Sequence, residues 1–275
     1  MNISNAFKLV KGPIGENDLY PVEELKDNNK RKAIENKLNL VNPLKTYDEI
    51  TAIANYLNIS VDNIYIPKNV LMDLYLYFDM SLGLLVSLCD GDLEFLKNFE
   101  VKKRIETKEI YFLKTLRKKD YSKYFCIMDE RIRVMMINRE FRTIPHEQKY
   151  DVFVHVYSSI DHGFNMLSKN IFYDVKKFMP KSIKSEIRKL ANADGYITIY
   201  RGMTEKSTSI NIANSWTMSL DVAKFFAKRF NSESPHIYKA KINYKDVFAY
   251  INSKNEEEIL IFPEKLIAVE KIDIK

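Results

Sequence analysis

Glycine is scarce in this chain: 7 in 275 residues, with no two separated by a single position. That absence excludes the Rossmann fingerprint and the P-loop, both of which need closely spaced glycines to bring backbone amides up to a phosphate. A bound nucleotide would have to be held by side chains. With only 8 prolines as well, no linker of low complexity is visible. Cysteine is scarcer still, and Cys89 and Cys126 form no disulfide framework; their apolar surroundings predict two reduced, buried thiols. The four histidines share no metal-ligand spacing with each other or with a carboxylate cluster, so no metal is expected. The first residues carry no continuous apolar core and no small-residue cleavage site, which predicts a cytoplasmic protein without a signal peptide.

No charge of one sign dominates. The net charge of +6 (43 Lys and Arg against 37 Asp and Glu) favours an anionic ligand but falls short of the dense basic stripe of a dedicated nucleic-acid binder. At 46% hydrophobic and 29% charged residues, the chain reads as an ordinary globular protein with room for one large domain or two small ones. Its longest apolar stretch, Leu71 to Cys89, is interrupted by Asp73 and Asp79. A carboxylate at the centre of a bilayer costs roughly 2.5–3.5 kcal/mol, so a buried helix is expected there and no membrane span, with Pro67 in the helix's first turn.

What is present divides by period. Thr46 followed by Glu49 forms a capping box ahead of Ile50, Ile53, Ala54 and Leu57 at helical spacing. Residues 93–99 make a short helix, and a basic one covers 102–123 on the apolar positions Ile110, Phe112, Leu113 and Leu116. The clearest helical signal runs over 147–168, where Tyr150, Phe153, Tyr157, Ile160, Phe164 and Leu167 define one aromatic face, read as core. A further helix covers 182–190. After Gly195 the pattern turns to strands: 196–200, 236–242, 246–251, 259–262 and 266–274, with a helix over 221–230 capped by Ser219. The fold class is therefore α+β, with a mainly helical region over 1–100 and a second domain over 101–275.

Three pieces of that second domain carry the chemistry. Tyr200-Arg201-Gly202 ends a strand, Ser215-Trp216-Thr217 precedes the capped helix, and Glu256-Glu257-Glu258 runs directly into Ile259-Leu260-Ile261. An arginine, then a serine, then Glu-x-Glu before an apolar strand resembles the Arg-Ser-Glu class of ADP-ribosyltransferases. Clostridial Rho-modifying exoenzymes and arginine-modifying binary toxins belong to that class. The resemblance covers about the last third of the chain, and this sequence has Ser-Trp-Thr where the toxins carry Ser-Thr-Ser.

The resemblance implies a β-sandwich with flanking helices and NAD as substrate. Arg201, flanked by Tyr200 and Gly202, would grip the diphosphate, and the Ser215-Trp216-Thr217 segment would line the site. Glu258 would stabilise the positive charge that grows on the ribose as nicotinamide leaves, with Ser215 orienting it. Glu256 would activate the acceptor, an arginine side chain by the identity of that residue. The acceptor molecule would be a macromolecule, protein first and nucleic acid second. The residues from Asn231 to Pro235 would cover nicotinamide. Two other readings stand beside this one: the same site with water as acceptor, an NAD glycohydrolase, and a binding protein with a degenerate transferase fold. In the last, Arg201 is a surface ion-pair residue and 255–258 an acidic turn.

Overall fold

A computed structural model describes residues 14–68, 74–160, 163–229, 234–252 and 255–272. Among them no helix is long and apolar enough to cross a membrane. The fold is α+β, and its contacts separate two compact units, 1–142 with 159–167, and 143–158 with 168–275. The boundary drawn after residue 100 on sequence falls inside the first unit.

The first unit contains strands β1 (Leu19–Pro21), β2 (Ile64–Pro67), β3 (Leu76–Asp79) and β4 (Leu84–Ser87) in one antiparallel sheet, in that order. It also holds helices α1 (Asn28–Lys37), α2 (Tyr47–Leu57), α3 (Leu93–Asn98), α4 (Val101–Arg117), α5 (Tyr121–Ile127) and α6 (Glu130–Glu140). The helical region expected over 1–100 is thus a mixed one.

The long helix expected from Leu71 is a β-hairpin from residue 76 onward, and Leu71 to Asp73 lie outside the described residues. The Asp79 carboxylate accepts hydrogen bonds from the Ser81 and Leu82 amides, and Gly83 supplies a φ of +64°. Together they close a turn that a helix cannot contain. An apolar run buried on both faces has no period to tell strand from helix, and the turn residues decide. Pro67, accordingly, ends β2 and starts no helix.

α2 forms as its sequence dictates, with the capping box made and Ile50, Ile53, Ala54 and Leu57 buried. α4 forms too, but its buried stripe is Val101, Ile105, Phe112 and Thr115. Ile110 and Leu113, expected beneath the charges, are exposed. Cys89 and Cys126 form no disulfide among the described residues and are half-buried, not enclosed.

The second unit places α7 (His146–Tyr157), α8 (Lys169–Phe178), α9 (Lys181–Leu190) and α10 (Leu220–Lys228) with six strands. The strands are β5 (Tyr196–Met203), β6 (Ser215–Thr217), β7 (His236–Asn243), β8 (Val247–Ile251), β9 (Glu258–Ile261) and β10 (Ile267–Ile272). They pair antiparallel in the order β10-β7-β5-β6-β9-β8. In place of two separately bonded sheets, β6 bridges the halves. It meets β5 through Tyr200 opposite Thr217 and β9 along its whole length. The helix expected over 147–168 ends at Tyr157; Ile160, Phe164 and Leu167 fall in the first unit, Phe164 opening a short 3-10 helix.

Two contacts fix the site's surroundings. α7 packs on β8: the Tyr250 amide donates to Tyr150 Oη at 3.3 Å, and the Phe153 ring meets those of Phe248 and Phe172 edge-on. α10 lies on β5 at Gly202, with Ala223 and Ala227 fully buried against it. Alanines on the helix and a glycine on the strand let the backbones approach closely.

That approach makes Gly202→Ala a sharp probe. An added Cβ would collide with the Ala223 carbonyl oxygen and come within 2.6 Å of the Ala227 nitrogen. Since both obstacles are backbone, the cost should reach the overpacking range of roughly 1–3 kcal/mol or above. Urea denaturation of the full chain is expected to show that loss; an unchanged midpoint would place α10 further from β5.

Candidate active site

Three of the residues singled out on sequence, 201, 215 and 258, come together. Ser215 opens β6 opposite Leu260, and Thr217 lies opposite Glu258. Serine and carboxylate are therefore diagonal neighbours on one face of an antiparallel pair, within reach of each other. The Ser215 hydroxyl donates to Glu258 Oε1 at 2.5 Å. Asn214 holds the register one residue earlier, its carbonyl accepting from the Ile261 amide and its side-chain Nδ2 donating to the Ile261 carbonyl. Glu258 begins β9 with a strand on either side, Thr217 of β6 and Ile251 of β8. Its backbone is held from both directions, as its place at the head of Ile259-Leu260-Ile261 suggests.

Arg201 reaches the same strand from β5. Its Nη1 donates to the Ser215 carbonyl at 2.5 Å, so the guanidinium fastens the backbone of the serine. Its Nε is enclosed and has no hydrogen-bond partner among the described residues. Burial pulls the guanidinium's affinity for its proton down, and the neighbouring Tyr157 and Glu258 push it back up. An arginine stays charged against such a shift.

The fourth member is Tyr157, which the sequence pattern assigns to the core. It ends the buried face of α7, one turn beyond Phe153 and two beyond Tyr150, and is 6% exposed. Its phenol hydrogen-bonds the Ser215 side chain beside Glu258 and Arg201. Burial raises its pKa far above the ordinary phenol value and the Glu258 charge adds to this, while Arg201 and the Ser215 contact act the other way. It stays a neutral O–H at any physiological pH. The serine's one proton goes to the carboxylate. The result is a cluster in which Tyr157 meets Ser215 and Ser215 donates to Glu258. The signal in the sequence was the hydroxyl itself: a stripe that needed only phenylalanine for packing carries tyrosine at both ends, and each finds a polar partner.

The remaining residues sit around this centre without joining it. Trp216 is 2% exposed and gives its indole N–H to the Ala213 carbonyl at 3.2 Å, packing behind β6. Tyr200 packs against Ala223, Ala227 and Ile237 under α10, where Gly202 also lies. Thr217 ties the strand to the acidic turn, its hydroxyl donating to the Glu256 carbonyl at 2.6 Å and accepting from the Ser219 amide. The turn is closed further by the Met218 amide on the Glu257 carbonyl and the Glu257 amide on the Asn252 side chain.

Glu256 lies before the strand, not on it. β9 starts at Glu258, and Glu257 has a φ of 46°. The two-residue alternation that would set both carboxylates on one side requires extended backbone, so the turn decides where Glu256 points. Asn231 to Glu233 of the loop expected to cover nicotinamide lie outside the described residues. No group of three or more metal-ligating side chains occurs among the described residues.

Chemically, the centre is a half-buried carboxylate that accepts the Ser215 hydrogen bond beside a guanidinium whose Nε is enclosed. Such a site can stabilise a cation growing next to Glu258 without reorganising. Compared with models of known families, with curated proteins and with solved structures, the chain matches none of them.

Proposed function

We propose that the chain is a mono-ADP-ribosyltransferase that uses NAD and modifies a macromolecular acceptor. The observation that supports this most is the Ser215 hydrogen bond to Glu258, joined by Arg201 on the Ser215 carbonyl. Residues far apart in sequence, picked out by an Arg-Ser-Glu order, meet on adjacent strands in the manner the order requires.

In this reading the bond between nicotinamide nitrogen and ribose C1′ breaks, and its electron pair leaves with nicotinamide. The ribose is left as an oxocarbenium-like cation. Glu258 stabilises that charge through space and accepts a hydrogen bond from the ribose 2′-hydroxyl. Ser215 and Tyr157 hold the carboxylate at the angle it needs, which removes reorganisation from the barrier. Arg201 presents its remaining N–H groups to the diphosphate, where a guanidinium fork suits phosphate oxygens. An acceptor nitrogen, an arginine guanidinium by the identity of Glu256, then attacks C1′ and releases its proton to the Glu256 carboxylate. The helices and sheet of the second unit form the transferase-like catalytic domain of this account.

One observation favours a second reading with water as acceptor. The left-handed backbone at Glu257 frees Glu256 from the pleat, so its carboxylate is not locked beside Glu258 as acceptor activation demands. An NAD glycohydrolase needs no such lock.

NAD labelled in the ADP-ribose moiety, incubated with the full chain in cell lysate, separates these readings. Glu258→Gln removes charge without volume, and loss of a main electrostatic stabiliser should slow both transfer and hydrolysis by about 10²–10³-fold. A variant keeping a tenth of wild-type turnover would take Glu258 out of the mechanism.

Glu256→Gln should split the two activities. A general base contributes about 10²–10⁴-fold to the step it serves, so labelling of macromolecules should fall by that order while free ADP-ribose is still released. If the wild-type chain releases only free ADP-ribose and Glu256→Gln changes nothing, the glycohydrolase reading replaces the transferase.

A further inference from the structure

The first compact unit contains a second feature, unrelated to the proposed reaction. A cavity of about 150 Å³ opens beside α4, with Leu85 of β4, Phe95 and Phe99 on its apolar side and Arg104, Lys108, Asp129 and Arg131 on its polar side. Lys108 is out of place in the helix that carries it. The buried stripe of α4 runs Val101, Ile105, Phe112 and Thr115, and Lys108 falls between its second and third members at the same helical spacing. A half-buried lysine thus stands in line with the buried stripe.

That ammonium has no hydrogen bond or ion pair among the described residues. Among the described residues that line the cavity, the one carboxylate is already paired. Asp129 takes Arg131 Nε at 2.8 Å and Nη2 at 2.9 Å in a two-pronged pair, and accepts the Arg131 amide as well. Among the described lining residues three cations thus face one carboxylate, an excess of two positive charges. Arg104 and Lys108 stand one turn apart on α4, where like charges repel. Burial lowers the lysine's pKa, and Arg104 and Arg131 lower it further against the pull of Asp129. A solvated basic face would turn such charges outward to water; here one of them is drawn inward along the core stripe.

The other wall is apolar. Leu85 is buried, and the Phe95 and Phe99 rings stack with centroids 4.3 Å apart, Phe99 being 45% exposed at the rim. We propose that this cavity binds a small phosphate monoester, its phosphate between Arg104 and Lys108 and its apolar body along Leu85 and the phenylalanine pair. A phosphate carries close to two negative charges at neutral pH and so offsets both free cations, where a carboxylate would offset one. The volume admits a phosphate with a small body and is too small for a dinucleotide, which separates this site from the one in the second unit.

Calorimetric titration of the full chain with phenyl phosphate, inorganic phosphate and benzoate at fixed ionic strength tests the assignment. Phenyl phosphate should saturate and bind several-fold tighter than either other probe, since only it meets both walls. Lys108→Met should weaken it about tenfold or more, the scale of a charge-assisted contact. Lys114→Met, an exposed position on the same helix, should leave it unchanged. The methionine suits the core stripe, so the variant should melt at or above the wild-type temperature; Arg104→Gln, at an exposed position, gives a second loss of affinity that needs no core change. Absence of saturation by about 10 mM, the edge of specific affinity, overturns the proposal. Equal losses in Lys108→Met and Lys114→Met overturn it too, because that pattern is unspecific charge attraction.

Discussion

In the proposed reaction Glu258 must be held still without being neutralised, and one hydrogen bond of the second unit does this. The Ser215 hydroxyl makes that bond. It gives its proton to Glu258 and meets the Tyr157 phenol, which burial keeps protonated. A hydrogen bond to a charged group contributes about 1.5–3 kcal/mol in net terms, more than enough to select one side-chain orientation. The serine can do this because its backbone is fixed twice, by the Leu260 register on β9 and by the Arg201 guanidinium on its carbonyl. Remove either and the hydroxyl loses its aim.

Everything that surrounds the centre supports that short strand. β6 has three residues, too few to be stable alone, and is held between β5 and β9. Trp216 fills the space behind it. Thr217 secures its far end to the acidic turn. α10 closes on β5 at Gly202, and α7 is latched to β8 through Tyr150, which sets the height at which Tyr157 arrives. The aromatic packing of Phe153, Phe172 and Phe248 is thus part of the site's geometry as well as of the core.

What could be read in the sequence was whatever short-range chemistry decides. The capping box at Thr46 and the Ser219 cap were legible because a side chain and a backbone amide three residues away settle them. β5 and β9 were legible from β-branched runs, and so was the Arg201, Ser215 and Glu258 order. Tyr157 was not, because a helical stripe of aromatics looks the same whether its hydroxyls meet water, a carbonyl or another side chain. The hairpin over β3 and β4 was lost for the same kind of reason: Asp79 reads as a break in a helix until its carboxylate is seen gathering the turn amides. The direction of Glu256 was beyond reach, since one left-handed residue at Glu257 undoes an alternation that the letters alone imply.

The central claim is that Ser215 acts through Glu258. A double-mutant cycle on NAD hydrolysis by the full chain, with Ser215→Ala, Glu258→Gln and the pair, measures this directly. The account predicts that Ser215→Ala slows the wild-type chain by about tenfold or more but costs almost nothing once Glu258 is glutamine, a coupling on the order of 1–2 kcal/mol. Losses that simply multiply would show two independent residues and contradict it.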